Sequence, residues 1–255
     1  MSDSPGVSVV VPFFNSERHL AACVESLLDQ EGVGAPFEVI LVNNRSTDGS
    51  AAIAARYPGL TVLEEQKPGA YAARNTGIRK AQAPLIAFTD ADCVVASDWL
   101  RSIRDGLQDP TIAILLGHCE YPSSASLALR MLAAYENAKT DYVIERCGPL
   151  HHFAHANNMA VRASVFEELG LFEEWDRAAD SELVHRLALS RPDLGLAFRR
   201  SMRITHMEFR SARARVRRLS LYTQTNSRIE TFQELGWAQR LGALMHWFRS
   251  RQAAD

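Results

Sequence analysis

The sequence contains little cysteine and no long apolar run. Its 255 residues include four cysteines, none of them spaced as a C-x-x-C pair. Such scattered thiols argue against a disulfide framework and predict a protein of a reducing cytoplasm. No apolar stretch approaches the roughly 20 residues needed to span a bilayer, and the polar start MSDSPG is unlike a signal peptide. We therefore expect a cytoplasmic protein, soluble or peripheral on the cytoplasmic face of a membrane.

The sequence also lacks an excess of one charge and a dinucleotide-binding glycine motif. A formal net charge of -2 gives no reason to expect nucleic acid or another polyanion as a partner. No G-x-G-x-x-G follows the first apolar run, which disfavours a dehydrogenase. Hydrophobic residues make up 47% of the chain, enough to form the core of one large domain.

The first half alternates predicted strands and helices. Short apolar runs predict buried strands over 7–11, 37–42, 60–63 and 85–88, with Pro12 ending the first of them. Helical patterns lie between them: one capped by Asn15 or Ser16, an alanine-rich one reaching Tyr57, and one over 69–81. This alternation predicts an α/β fold with a mostly parallel sheet flanked by helices. Ligands of such sheets bind beyond the carboxyl ends of the strands, where 13–17, 43–48 and 90–92 supply polar clusters.

The second half is less regular. It predicts helices over 124–142, 164–169 and 180–189, a strand leading to Val161, and an extended segment over 197–204. No repeat or linker divides the chain, so we expect one domain over 1–209 and a helical C-terminal extension over 210–255 packed on it. Five arginines lie between Arg210 and Arg218. Residues 210–251 are interpreted either as an interfacial helix on anionic lipid or as a helix that packs on the domain or closes a homodimer.

The triplet Asp90-Ala91-Asp92 ends a predicted buried strand. Two carboxylates there leave water at a substantial cost unless a positive group pairs with them. A divalent metal ion that carries a diphosphate is a natural partner, because Mg²⁺ and Mn²⁺ prefer oxygen ligands. An exposed acidic turn ahead of the helix that begins at Asp98 is the alternative. Arg74, on a predicted helix, could bind phosphate bidentately or be an ordinary solvated charge.

These residues belong to a longer series of motifs that occur in order over 7–206. The series comprises VSVVVPFFN at 7–15 with Glu17, VNNRSTDGS at 42–50, ARNTGI at 73–78, FTDAD at 88–92, DWL at 98–100, ANNMAVR at 156–162, VFEELGLF at 165–172 and DSEL at 180–183. Each motif is weak alone, but jointly they are specific. The chain resembles the family 2 glycosyltransferases, which have the GT-A fold, a Rossmann-like sheet flanked by helices.

The resemblance implies an inverting enzyme that moves a sugar from a nucleotide-sugar donor, with UDP the expected nucleotide, to a hydroxyl acceptor. The acceptor would be a glycan or a lipid-linked molecule of cell-surface polysaccharide or glycolipid synthesis, and the cofactor a divalent Mn²⁺ or Mg²⁺ ion. It further implies a nucleotide-sugar pocket formed by Pro12, Phe14, Glu17, Asn43, Asn44, Arg74, Asp90 and Ala91, with metal ligands Asp92 and His206, the general base Asp180, and the acceptor-side residues His155 and Asn157. In this scheme Phe14 stacks on the base and Asn44 contacts its edge.

Two positions depart from the family's pattern. The family often has aspartate where this chain has Asn43, and an acidic residue where it has Ala179. We expect Asn43 to alter donor selectivity more than competence, whereas Ala179 leaves the detailed role of Asp180 open. These changes are the only support for the alternative of a non-catalytic sugar-nucleotide-binding or scaffold protein. A sugar nucleotidyltransferase is disfavoured, because the segment after the first strand is neither glycine-rich nor basic.

The three histidines of 151–155 invite a zinc-site interpretation. Structural zinc usually takes four ligands, commonly including cysteine, and Cys147 is the only thiol nearby. Zinc at this position is therefore disfavoured, and His155 is assigned to the acceptor side.

Overall fold

A computed structural model describes residues 4–208, in which eight strands form one sheet with helices on both of its faces. The strands are β1 (Val7–Phe13), β2 (Phe37–Asn43), β3 (Thr61–Glu64), β4 (Leu85–Thr89), β5 (Cys93–Val95), β6 (Ile112–Glu120), β7 (Asn158–Arg162) and β8 (Gly195–His206). The α-helices are α1 (Leu20–Leu28), α2 (Ser50–Ala54), α3 (Ala70–Lys80), α4 (Trp99–Gly106), α5 (Leu127–Arg146), α6 (Ala163–Leu169) and α7 (Ala179–Ser190). A 3-10 turn spans Pro149–His151.

The sheet joins a parallel half to a mixed half. Its strand order is β3-β2-β1-β4-β7-β6-β8-β5. Strands β3, β2, β1 and β4 are parallel, as the alternating first half of the sequence predicts. Strand β7 is antiparallel to both β4 and β6, β8 is parallel to β6, and β5 is antiparallel to β8. The predicted fold class, α/β with a mostly parallel sheet between helices, is confirmed.

Two apolar cores lie on opposite faces of the sheet, and alternate residues of β1 reach each of them. Val9 and Val11 pack in the core that includes residues of α1 and α4. Val10 packs in the other core, with residues of α3, α6 and α7. A strand covered on both faces needs apolar side chains at nearly every position, which explains the continuous apolar run at the start of the sequence.

The start of the chain differs from the prediction in two details. Strand β1 continues through Pro12 to Phe13. Because β4 pairs with β1 only as far as Val10, Pro12 lies beyond the stretch in which both edges of β1 are paired. Helix α1 begins at Leu20, without a side-chain cap from Asn15 or Ser16. Asn15 instead adopts a left-handed conformation with φ of 48°, and its side-chain oxygen accepts a hydrogen bond from the backbone N–H of Thr47.

The other predicted elements are confirmed within a few residues of their bounds. The sequence prediction missed β5 and β6. None of the helices within residues 4–208 combines the length and the hydropathy of a membrane span. Residues 210–255 lie outside the described part of the chain, so the helical extension, its membrane alternative and its dimer alternative stay predictions.

Candidate active site

A cleft of about 2010 Å³ opens at the edge of the sheet where β1, β2 and β4 end. Pockets for single small ligands have volumes of roughly 300–1,000 Å³, so this cleft has room for two substrates. Because β7 runs antiparallel to β4, Asn158 at its start lies opposite Thr89 at the end of β4. The segment just before β7 therefore reaches the same edge as Asp90.

Almost all of the predicted site residues meet in this cleft. Those that line it are Pro12, Phe14, Glu17, Asn44, Arg74, Asp90, Ala91, Asp92, His155, Asn157, Asp180 and His206. Residues separated by almost 200 positions in sequence are thus brought to one edge of the sheet. Asp92 and Asp180, which the sequence analysis assigned to the metal and to proton transfer, open into the same space.

Asn43 is the exception, because it is not part of the cleft lining. Its side chain is buried; its amide nitrogen donates to Glu64 Oε1 at 3.0 Å, and its oxygen accepts from the backbone N–H of Ser46 at 2.9 Å. The Asn43 amide thus bonds to a neighbouring strand and turn and does not face the cleft. An aspartate here would place a second carboxylate beside Glu64, which explains why an amide suits this chain.

Asn44 lines the cleft, but its side chain holds a neighbouring loop. Its amide nitrogen donates to the carbonyl oxygens of Glu65 and Lys67 at 3.0 and 2.7 Å, and its oxygen accepts from the N–H of Gly69 at 2.8 Å. Both of its amide hydrogens are used in these bonds. Asn44 therefore fixes the loop that leads into α3.

The turn after β1 presents an aromatic ring to the cleft. Phe14 is 58% exposed and lines the cleft, so much of its ring is accessible from there. Glu17 lies further along the turn, where its carboxylate accepts from the N–H of Gly49 at 3.1 Å. The N–H of Glu17 in turn donates to Asp48 Oδ2 at 3.1 Å. These bonds tie the turn after β1 to the turn after β2.

Asp92 and His206, the two metal ligands that the resemblance implies, are neighbours in the structure. His206 Nε2 lies 3.6 Å from Asp92 Oδ2. The pairing of β5 with β8 sets this distance, because Cys93, directly after Asp92, lies opposite His206 in the ladder. The backbone N–H of Met207 also donates to the carbonyl of Asp92 at 2.7 Å. Because β5 was not predicted, the sequence alone offered no structural reason for these two side chains to be neighbours.

The surroundings of Asp92 make its negative charge costly. Burial raises the pKa of Asp92, the carboxylates of Asp90 and Glu208 raise it further, and His206 opposes the change. The Nδ1 atom of His206 is buried and has no hydrogen-bond partner within residues 4–208. An acidic group held above its ordinary pKa in a partly buried site is the environment that a bound cation relieves.

Arg74 of α3 joins the acidic loop to the opposite wall. Its Nη2 lies 2.5 Å from Asp90 Oδ1, and its guanidinium lies 5.2 Å from the centre of the Tyr71 ring. Burial lowers the pKa of Arg74, but Asp90, Tyr71 and Asp180 raise it by more, so the side chain remains charged. Its Nε atom has no partner among the described residues. The alternative of a solvated surface arginine is wrong here.

Asp180 lies in the first turn of α7 with both carboxylate oxygens held by backbone N–H groups. Oδ2 accepts from Ala156 at 2.9 Å, and Oδ1 accepts from Ser181 at 2.9 Å. The N–H of Asp180 itself donates to the hydroxyl oxygen of Tyr71 at 3.5 Å. The helix is preceded by Ala178 in a left-handed conformation, so Asp180 is not its N-cap. The carboxylate is fixed toward the cleft by these contacts.

Ala179 is buried in the apolar core, next to Leu183 and Val184 of the same helix. A carboxylate at this position would need to leave that core or carry its charge into it. An alanine at position 179, where the family often has an acidic residue, therefore fits the apolar surroundings of α7.

Helix α3 also fixes the loop that precedes α7. The side chain of Asn75 donates to the carbonyl of Phe172 at 2.9 Å and accepts from its N–H at 3.1 Å. The rings of Tyr71 and Phe172 lie 5.4 Å apart. One helix therefore contacts Asp90 through Arg74 and the α7 region through Tyr71 and Asn75.

The predicted acceptor-side residues lie close to Asp180, because Ala156 between them donates its N–H to Asp180 Oδ2. Both His155 and Asn157 line the cleft, and the His155 ring lies 5.4 Å from that of Phe153. Among the described residues, the one group of three acidic, cysteine or histidine side chains close enough to share a metal ion is Asp92, Cys93 and His206. The zinc interpretation of the histidines at 151–155 is therefore not supported.

Part of the cleft wall was not predicted from the sequence. Helix α5 contributes Tyr135, Glu136 and Lys139, and the loop before α7 contributes Asp176 and Arg177. Tyr71 could have been found, because it lies three residues before Arg74 and so shares its helix face. Nothing in the local pattern of α5 marks which of its faces borders the cleft.

A GT-A glycosyltransferase is the class that this sheet and cleft define. Residues 8–170 match the sequence profile of the family described as Glycosyl transferase family 2. The chain belongs to that family. The matched region includes the first three polar clusters, whereas Asp180 and His206 lie beyond it and are placed by geometry alone.

Individual relatives agree with this assignment. The chain is 30% identical over 178 residues to Glycosyltransferase AglE of Haloferax volcanii. This match covers 67% of this chain and 57% of that protein. It thus spans little more than half the length of this relative. Among solved structures, it is similar to the mannosyltransferase PcManGT of Pyrobaculum calidifontis in complex with GDP-Man and Mn²⁺, with a TM-score of 0.66, 22% identity, and coverage of 99% of this chain and 76% of that one.

A second similar structure is that of S. aureus TarS residues 1-349 in complex with UDP-GlcNAc, with a TM-score of 0.58 and 18% identity. That match covers 82% of this chain and 60% of the other. At these identities the two structures establish the fold.

Proposed function

We propose that this protein is an inverting, metal-dependent glycosyltransferase that uses a nucleoside-diphosphate sugar and a hydroxyl acceptor. The observation that carries the proposal is one cleft shared by the Asp92–His206 pair and the Asp180 carboxylate. Arg74 and Tyr71 connect the two sides from a single helix. Such an arrangement can hold a diphosphate at one end while a base faces the acceptor at the other.

Asp92 and His206 are the residues that would hold the metal ion. A carboxylate and an imidazole suit Mn²⁺ better than Mg²⁺, which prefers oxygen ligands alone. The position of His206 Nε2, 3.6 Å from Asp92 Oδ2, supports the fit. When bound, the ion supplies positive charge that stabilises the departing diphosphate.

The donor would lie along the edge of the parallel strands. Phe14 offers an exposed ring on which a uracil or guanine base can stack. Pro12, Ala91 and Asp90 line the adjacent part of the cleft. The charged guanidinium of Arg74 lies buried beside Asp90, where it adds positive potential near the diphosphate.

Asp180 is the proposed general base. Its oxygens each accept one backbone N–H, which leaves lone pairs for the proton of an acceptor hydroxyl. As that proton moves to Asp180, the acceptor oxygen bonds to C1 of the sugar, and the bond from C1 to the diphosphate oxygen breaks. The nucleoside diphosphate leaves with the electron pair, and in-line attack inverts C1. His155 and Asn157 would contact an acceptor that is a glycan or lipid-linked molecule.

The first experiment measures ligand binding and turnover separately. Thermal unfolding is recorded with UDP- and GDP-sugars in the presence of Mn²⁺, and release of the nucleoside diphosphate is measured with and without candidate acceptors. We expect Asp180→Asn to keep donor-induced stabilisation while nucleotide release falls by about 10²–10⁴-fold, the usual contribution of a positioned base. Retained turnover in this variant would remove Asp180 as the base.

Glu182→Gln is the matched control, because Glu182 lies two residues further along α7 and pairs with Arg186 away from the cleft. It should release nucleotide as the unaltered protein does. A protein that binds nucleotide sugars but releases no nucleotide with any acceptor would instead be the non-catalytic binding protein.

A further inference from the structure

Cys93 carries a thiol that the proposed reaction does not use. It is fully buried, and its Sγ lies 3.6 Å from Asp92 Oδ1. One donor atom each from Asp92, Cys93 and His206 lie within 4.8 Å of one another. Cys93 and His206 are paired across the β5–β8 ladder, and residues at paired positions place their side chains on the same face of a sheet.

These three donors differ in chemical softness. Mn²⁺ and Mg²⁺ favour carboxylate, carbonyl and water ligands and have little affinity for sulfur. Zn²⁺ binds carboxylate, imidazole and thiolate together, almost always with four tetrahedral ligands. Ligand atoms around a tetrahedral zinc ion lie roughly 3.3–3.8 Å apart, as its bond lengths of about 2.0–2.3 Å require. The three donors therefore need shifts of about 1 Å to surround such an ion.

We propose that Asp92, Cys93 and His206 form a second coordination mode of this site, which takes a thiophilic divalent ion of the Zn²⁺ class. The thiol loses its proton to solvent as the metal–sulfur bond forms. The three protein ligands would fill three of the four coordination positions of a tetrahedral ion. The fourth position would remain for water or a phosphate oxygen. In the mode proposed for Mn²⁺, only Asp92 and His206 are protein ligands, and Cys93 does not bind the ion. This inference rests on the metal site of the proposed function but concerns a different ion and a different ligand.

The two modes have opposite consequences for the reaction. An ion that binds only through Asp92 and His206 keeps several positions open to the diphosphate. An ion that also binds Cys93 is drawn toward the buried side of β5 and has one position left. We therefore expect Zn²⁺ to compete with Mn²⁺ and to inhibit sugar transfer. The site would discriminate between metal ions through the residue that follows the acidic triplet.

Cobalt provides a direct test on the full chain, because Co²⁺ substitutes for Zn²⁺ and its thiolate complexes absorb in the near ultraviolet. The metal-free protein is titrated with Co²⁺ alone. We expect a sulfur-to-cobalt charge-transfer band, together with the intense visible bands of tetrahedral cobalt, and displacement of both by Zn²⁺. The spectrum of the unaltered protein decides the question without any substitution: absence of the charge-transfer band overturns the inference.

Substitutions then assign the thiolate. Cys93→Ser and Cys93→Ala should abolish the charge-transfer band and weaken Zn²⁺ binding by about tenfold or more, since even partners of metal ligands contribute 10–100-fold. Cys23→Ser is the control matched in burial, and Cys147→Ser is the control for a thiol away from the cleft. Both should keep the band. A band that persists without Cys93 sinks the proposal.

A parallel titration with Mn²⁺, followed by electron paramagnetic resonance, separates this inference from the proposed function. Mn²⁺ binding should be unchanged in Cys93→Ser and lost in Asp92→Asn. If Mn²⁺ and nucleotide bind but cobalt shows no thiolate ligand, the inference fails and the proposed function stands. If cobalt binds through Cys93 while no donor is turned over with Mn²⁺, the inference stands and the proposed function fails.

Discussion

At the scale of single residues, Arg74 is a buried charge that is stabilised by a partner at the edge of the cleft. Its guanidinium is almost fully enclosed, yet it pairs with Asp90 at 2.5 Å and lies over the Tyr71 ring. Removing one partner of a buried pair leaves the other charge uncompensated, which costs more than the pair contributes when intact.

We expect Arg74→Met to lower the free energy of unfolding by about 1–3 kcal/mol, less than for a fully buried pair because the Asp90 side chain is one-third exposed. Donor-induced stabilisation should weaken as well. Urea unfolding measures the first effect and thermal shift the second. Arg79→Met, an exposed change in the same helix, should stay within about 0.5 kcal/mol. Equal effects of the two substitutions would contradict the assignment of Arg74.

Two adjacent asparagines divide two roles between them: Asn158 holds elements of the fold together, and Asn157 is proposed to contact the acceptor. Asn158 is buried; its oxygen accepts from Trp99 Nε1 at 2.8 Å, and its amide donates to the carbonyls of His118 and Met202 at 3.0 and 2.9 Å. It thus links β7 to α4, β6 and β8. Asn157 lines the cleft.

We expect Asn158→Ala to destabilise the protein by about 2–5 kcal/mol, because it leaves three buried groups unsatisfied at about 1–3 kcal/mol each, less what local relaxation recovers. Asn157→Ala should leave the unfolding midpoint within the usual surface range of about 0.5 kcal/mol. It should instead raise the KM for the acceptor. Denaturant titration of the pair, with acceptor kinetics on Asn157→Ala, checks both; a stability loss at position 157 would contradict the division.

Most of the predicted site residues line the cleft and lie in motifs, but the motifs did not show which contacts each side chain makes. Asn43 and Asn44 are adjacent and chemically identical, yet one bonds to Glu64 outside the cleft and the other holds the loop before α3. Tyr71 was missed because an apolar-looking aromatic in a helix normally packs in a core. Its contact with Asp180 depends on a partner 109 residues away, which no local pattern encodes.

At the scale of elements, α3 lies unusually close to β1. A methyl group at Gly77 would lie 2.3 Å from Val10 Cγ1, far inside van der Waals contact. The absence of a side chain at this position lets the helix approach the strand, and that approach places Arg74 and Tyr71 at the cleft.

We expect Gly77→Ala to be destabilising by about 1–3 kcal/mol through overpacking, although alanine favours a helix over glycine by about 0.5–1 kcal/mol. Donor-induced stabilisation should fall because α3 is displaced. Adding Val10→Ala should recover part of both losses, with a coupling of about 0.5–3 kcal/mol in a double-mutant cycle. Gly59→Ala, where a methyl group meets nothing within 4 Å, is the control. Strict additivity of the two changes would show that the contact is unimportant.

The elements that the sequence did not predict belong to the mixed half of the sheet. Strand β5 has three residues, too short for a periodic signal, and it exists because β8 pairs with it. Strand β6 carries an irregular register with β8 between Gly117 and His118. Gly117 is required there, since a methyl group would lie 2.2 Å from the carbonyl oxygen of Met202. Such pairings are long-range, whereas the β-α alternation of the first half is visible locally.

At the scale of the whole molecule, the cleft lies between the parallel half and the mixed half, so ligands should stabilise the fold as a unit. A nucleotide sugar with Mn²⁺ at 100 times its dissociation constant adds about 2.7 kcal/mol to the free energy of unfolding. For a domain of this size we expect Tm to rise by roughly 5–10 °C, at about 2–4 °C per kcal/mol.

Differential scanning fluorimetry with and without EDTA measures this effect. EDTA should abolish most of the increase produced by the nucleotide sugar, and Asp92→Asn should do the same without chelator. Asp98→Asn is the matched control, since Asp98 lies outside the cleft. A full Tm increase in the presence of EDTA would contradict metal-assisted donor binding.

The double attachment of α3 also limits how this protein can be recombined with its relatives. An engineer who wished to transplant the acceptor-side segment of a relative would graft it after Asp92, onto residues 1–92 of this chain. Tyr71 and Asn75 would belong to the retained part of the chain. Their present partners, Asp180 and Phe172, would be replaced by residues of the graft. Functional hybrids should therefore require α3 to travel with the segment that it orients, although it precedes the junction in the chain.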